Sequence, residues 1–212
     1  IWDNGAINSW MDMTDVTRSH IERDAERSGH VIRYNLIVDP GQGLYMDDYT
    51  SNCFIFGNVI VRAGNGIGVH GGKNNVIENN VFARCAAGVS FWNNVSTRAE
   101  SWQMRGFHAG NHIRHNVFDV VDGRTPAFGV TNTQGVPGPR SEQAIVICVS
   151  KYEDNKIAFS DDNLFHNPAD ASDVWIHLDV PGRAGEVITL EEWRKMGYDA
   201  TSQIGDPMFV DP

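Results

Sequence analysis

Four stretches of the chain, "HVIRYNLIVD" (30–39), "CFIFGNVIVR" (53–62), "NVIENNVFAR" (75–84) and "NHIRHNVFDV" (111–120), repeat one phrase. Each has an apolar residue, two variable positions, an asparagine and a second apolar pair. The asparagines Asn35, Asn58, Asn80 and Asn116 are separated by 23, 22 and 36 residues, and Asn163 in "DDNLFHN" extends the column after 47 more. A unit this short cannot hold a helical pair, which takes about 33 residues. Its apolar alternation, β-branched content and Gly/Asn punctuation predict strands. Each unit reads as two strands, such as "VIENNVFA" and "GVSFW", about a turn at "RCAA". Stacking such units gives an all-β fold, a right-handed parallel β-helix, with equivalent residues of successive coils roughly 4.8 Å apart. An asparagine at a recurring bend bonds its own turn and the neighbouring coil. The column is therefore structural.

Working outward, "GLYMDD" (43–48) and "GIGVHG" (66–71) are the same strand one coil apart. Alternation puts Leu44, Ile67 and Val89 and then Met46, Val69 and Phe91 inside, with Phe128 and Val130 as a continuation. The opposite columns, Tyr45/Gly68/Ser90 and Asp47/His70/Trp92, face outward and are released from packing. "DNGAINSW" (3–10) reads as the preceding coil, with Ile7 beside Leu44 and Asn8 beside Tyr45, which brings Asp3 and Trp10 to the same face. Carboxylates flanked by aromatic rings suit a carbohydrate, whose C–H faces stack on rings while its hydroxyls bond acids.

Net charge -10 and a pI near 5.1 repel phosphate backbones, so nucleic acid is excluded as a partner. No apolar run approaches the roughly 20 residues a membrane helix needs, so no membrane partner is expected. Cys53, Cys85 and Cys148 have neither a CxxC spacing nor an even count, and Cys85 reads as a core residue. The remaining histidines lack a HExxH spacing, and no GxSxG, Walker or dinucleotide loop occurs. "HIERDAERSGH" (20–30) reads as a solvated connection. No cofactor and no metal site are assigned, with calcium left open because oxygen donors abound.

The C-terminal part changes character. "ITLEEWRKMGYD" (188–199) opens with a capping box, Thr189 and Glu192, then spaces Leu190, Trp193 and Met196 as a short helix stopped by Gly197. The expected organisation is one domain, with coils and two long inserted loops over 1–187 and a capping helix with an exit segment over 188–212. The insertions, "NNVSTRAESWQMRGFHAG" (93–110) and "TNTQGVPGPRSEQ" (131–143), leave from the end of the strand carrying the outward columns. They are expected to rise over that face, with Trp102, Arg105 and His108 as contacts.

"DNGAI" (3–7), "HVIRYNLIVD", "GLYMDD" and "GVHGGKNNVIENNVFARC" (68–85) resemble the parallel β-helix carbohydrate-active enzymes of the pectate-lyase-like superfamily. The closest likeness is to glycoside hydrolase family 141, which includes α-L-fucosidases and xylanases. The resemblance covers 1–94 and 188–212. It implies a secreted, periplasmic or extracellular glycosidase for polysaccharide degradation, with catalytic aspartates at Asp3 and at Asp47 or Asp48.

Two chemistries follow. In a glycoside hydrolase, Asp47 and Asp3 flank the scissile bond as acid and base or nucleophile, His70 orients, and Trp10, Tyr45, Trp92, Trp102, Arg105 and His108 bind the sugar. The acid must then stay protonated near neutral pH. In a polysaccharide lyase, Tyr45 or His70 removes a proton and Asp47 with Asp48 holds calcium. A non-catalytic sugar-binding β-helix is the third reading.

Overall fold

A computed structural model describes residues 5–9, 18–92, 107–120, 144–149, 156–168, 174–180 and 183–210. Three sheets wrap a common core. The first contains β1 (Ile7–Ser9), β4 (Gln42–Met46), β7 (Asn65–His70), β10 (Ala87–Trp92), β13 (Ala144–Val149) and β16 (Val174–Val180), all parallel, and closes on antiparallel β17 (Arg183–Thr189). The second contains β2 (Val31–Arg33), β5 (Phe54–Phe56), β8 (Val76–Glu78), β11 (Asn111–Arg114) and β14 (Ile157–Asp161). The third contains β3 (Leu36–Val38), β6 (Val59–Val61), β9 (Val81–Cys85), β12 (Val117–Val120), β15 (Leu164–His166) and β18 (Gln203–Ile204). The helices are α1 (Arg18–Arg27) and α2 (Leu190–Lys195). Neither is long and apolar enough to cross a membrane. This is a parallel β-helix.

A coil therefore has three strands where the sequence suggested two. "VIENNVFA" is not continuous, because the residue before each ladder asparagine takes a left-handed backbone: Tyr34, Gly57, Asn79, His115 and Asp162 have φ between 53° and 65°. That bend turns the chain from the second sheet to the third. Asparagine follows it in every coil because its amide can bond along the stack. Asn35 Nδ2 donates to Asn58 Oδ1 (2.8 Å), Asn58 to Asn80 (2.9 Å), Asn80 to Asn116 (3.1 Å) and Asn116 to Asn163 (3.2 Å). The backbone N–H groups of Asn35, Asn58, Asn80 and Asn116 donate to the same neighbouring oxygens. Asn163 donates in turn to Asp199 Oδ1 (2.8 Å), where the row ends. A second, shorter row runs from Asn75 to Asn111 (3.1 Å) and escaped the sequence reading.

The inward columns fill the core. Ile55, Ile60, Ile67, Ile77 and Ile113 are fully buried, and Phe82, Phe118 and Phe165 stack in sequence at 4.8 and 5.3 Å. Ile7 pairs with Leu44 and Asn8 with Tyr45, in the register read from the sequence. The strand beside β10 is β13, so Ile147 and Val149 continue the inward columns. Phe128 and Val130, expected there, lie outside the described residues. The stretch read as a solvated connection is largely α1, whose Ala25 is buried. At the other end Thr189 and Glu192 form a reciprocal capping box on α2. Trp193 is fully buried, stacks on Tyr198 at 4.2 Å and donates from Nε1 to Asp199 Oδ2 (2.7 Å).

Candidate metal centre

On the outer face of the first sheet, β4 and β7 place Tyr45, Asp47 and His70 together. Parallel pairing sets Tyr45 against Gly68 and Met46 against Val69, which brings the end of β4 level with His70. His70 in turn pairs with Trp92. His70 Nδ1 lies 2.6 Å from Asp47 Oδ1, 3.3 Å from the Tyr45 hydroxyl and 3.9 Å from Asp48 Oδ1. A ring nitrogen facing a carboxylate at that distance carries the proton, so Nδ1–H donates to Asp47. Tyr45 also hydrogen-bonds Asp47, and the Asp48 backbone N–H donates to Asp47 Oδ1 at 2.8 Å. Burial alone would raise the Asp47 pKa. The bonds from His70, Tyr45 and Asp48 outweigh it and hold the carboxyl below the usual aspartate value.

Asp48 reaches the site through an unusual turn. Asp48 and Tyr49 both have positive φ, 37° and 61°, a backbone that costs a non-glycine residue about 1 kcal/mol or more. Thr50 secures the bend, donating from N (3.1 Å) and Oγ1 (2.6 Å) to the Asp47 carbonyl. The Asp47, Asp48 and His70 side chains are only 17%, 23% and 13% exposed. Their ligand atoms all lie within 4.8 Å of one another, the one such group of three or more among the described residues.

The aromatic wall depends on a glycine. A Cβ at Gly68 would collide with the six-membered ring of Trp92 and stand 2.9 Å from Gln42 Nε2. Without it, Trp92 lies against the strand, 5.5 Å from the Tyr45 ring and 5.8 Å from His70. His108, expected as an exposed contact, is instead buried, with its ring 5.7 Å from Phe91. Burial first, then the charges of Lys156 and His70, push its pKa well below the usual 6.5. Asp3, Trp10, Trp102 and Arg105 lie outside the described residues.

Residues 19–167, more than half of the chain, match the family model described as "Periplasmic copper-binding protein (NosD)". The chain belongs to the NosD family. No curated protein and no solved structure matches. A periplasmic family agrees with the location the resemblance implied. The NosD match overturns the reading as a glycoside hydrolase, and with it the lyase alternative, the enzyme class and the role in polysaccharide degradation. The site also removes one role from Asp47: its hydrogen bonds hold it ionised, whereas a glycosidase acid must keep its proton at neutral pH. Calcium, the one metal left open, also gives way. It prefers six to eight oxygen ligands, and here one of three donors is an imidazole nitrogen.

Proposed function

We propose that this chain binds copper and that Asp47, Asp48 and His70 are its ligands. The observation that supports this most directly is the convergence of three metal-capable side chains within 4.8 Å on adjacent coils. They belong to a β-helix whose family is described as copper-binding. Imidazole nitrogen and carboxylate oxygen are donors that copper and other late divalent ions accept. Donors spaced 2.6 and 3.9 Å from His70 Nδ1 bracket the roughly 3–3.5 Å spacing around a small ion with bonds near 2.0–2.2 Å. Copper bound to both atoms would displace the proton that His70 Nδ1 and Asp47 Oδ1 share at 2.6 Å. A bound cation would also relieve the repulsion between two adjacent carboxylates in a chain of net charge -10.

Equilibrium dialysis against Cu(II) tests the assignment. The wild-type chain is expected to retain one ion, and His70→Ala to weaken binding at least about tenfold while the melting temperature moves little. Equally tight binding by His70→Ala, or no binding by the wild type, overturns the proposal.

A further inference from the structure

Imidazole and carboxylate meet a second time at the bend between the second and third sheets. His115 follows β11 and Asp162 follows β14, two strands that pair in parallel. Both residues take the same left-handed backbone, φ 56°, so their side chains leave equivalent positions of successive coils. The arrangement of the first site recurs here. Asp161 and Asp162 are adjacent on one coil, and the histidine stands on the neighbouring one. His115 Nε2 and Asp162 Oδ2 face each other at 3.6 Å, too far for a good hydrogen bond. Ligands about 2.0–2.2 Å from a tetrahedral ion stand roughly 3.3–3.6 Å from each other, so the gap has the width that an ion between them requires.

The carboxylate is already aimed. Its other oxygen, Asp162 Oδ1, lies 2.6 Å from Thr201 Oγ1, which leaves Oδ2 for the gap. Asp161 is spent on holding Thr201 in place, since its Oδ1 accepts from the backbone N–H groups of Thr201 (2.7 Å) and Ser202 (3.1 Å). A ligand oriented by a hydrogen-bonded neighbour is the usual construction of a metal site. The pair opens on a cavity of about 330 Å3, lined also by Val117, Leu164, Thr201 and Gln203, with room for water around an ion. We infer that His115 and Asp162 form a second cation site, for a borderline divalent ion such as zinc, with water in its remaining positions. Imidazole and carboxylate together suit such an ion. Both side chains are half exposed, and two protein ligands hold the ion more weakly than the three at the end of β4 and β7. Bound there, the ion ties two coils together at the bend and, through Thr201, the segment that follows α2. The inference does not rest on the copper reading of the first site.

Diethylpyrocarbonate tests it on the full chain, because the reagent modifies exposed neutral imidazoles and peptide mass spectrometry reads each histidine separately. Zinc raised stepwise to about 1 mM is expected to slow modification of His115 at least about tenfold. Asp162→Asn keeps an acceptor for Thr201 and places a residue that tolerates positive φ, so it should fold, as circular dichroism can check, and lose the protection. His70→Ala should keep it. No protection of the wild type, or equal protection of Asp162→Asn, overturns the inference. Protection that disappears in His70→Ala traces the effect to the first site and overturns it as well.

Discussion

The bend between the second and third sheets and the outer face of the first sheet treat the same repeat in opposite ways. At the bend, five successive coils carry asparagine, each amide satisfied by the next. On the outer face, successive coils carry Asp47, His70 and Trp92, three different chemistries at equivalent positions. A ladder can be shared only if every rung is the same, whereas a site needs unlike groups brought within reach of one another. Uniformity down a column thus marks what supports the solenoid, and variation marks what is free to act.

Changes in the two regions should therefore separate stability from binding. The largest loss is expected at Asn80, which is fully buried and whose Nδ2 serves the Ile55 and Glu78 carbonyls and Asn116 Oδ1. Asn80→Leu strands those acceptors and the Asn58 donors and should cost about 3 kcal/mol or more by denaturant unfolding. Copper bound per folded molecule should stay as in the wild type. A loss of affinity at matched folded fraction would show that the two regions are coupled.

Gly68→Ala comes next. The added methyl drives Trp92 off the strand, with an expected cost of about 1–3 kcal/mol and a shift in tryptophan emission. Unchanged emission would mean that the ring does not need the gap.

A smaller effect should follow pH. His108 is buried as the neutral base, so the stability this contributes is fully present above its ordinary pKa of 6.5. It is lost as pH falls below 6.5 toward the depressed folded value, because only the unfolded chain then takes up the proton readily. Melting temperature measured between pH 8 and 5 should decline more steeply for the wild type than for His108→Gln, and parallel curves would remove His108 as the cause.

Asp47→Asn should be the mildest change to the fold, within about 1 kcal/mol, because an asparagine oxygen can still accept from His70. It should nevertheless weaken copper binding. A large drop in stability there would place Asp47 among the supports of the solenoid.

How far the sequence reached differs by the same division. The asparagine column could be read because a period survives insertion, and the pairing of Ile7 with Leu44 could be read because packing tolerates only one register. The bend inside "VIENNVFA" could not. It rests on left-handed backbone at Tyr34, Gly57, Asn79, His115 and Asp162, a column whose residues share no side-chain type. The Asn75–Asn111 row was visible in principle, since its spacing of 36 equals that from Asn80 to Asn116. Helix α1 was missed because its residues are mostly charged and lack an apolar stripe. At the site, alternation brought Tyr45, Asp47, His70 and Trp92 to one face. Their use was misread because aromatic rings beside acids suit a sugar as well as a metal, and the ionised state of Asp47 depends on three hydrogen bonds that only coordinates reveal. Asp48 was legible as a carboxylate that acts with Asp47, but the strained turn that brings it within reach of His70 was not.

The asparagine row behaves as a polymer with a sense of direction. From Asn58 onward each side chain receives from the coil before and donates to the coil after, so the amide dipoles align, and each polarises the next. Another asparagine could not finish such a row, because its NH2 group would again need an acceptor. Asp199 acts as the end-group. It has no amide to pass on, and its two oxygens take up Asn163, Ser160, Ser202 and Trp193 together. A single carboxyl thus terminates the stack chemically, and Asp199→Asn would turn a terminated chain back into a growing one.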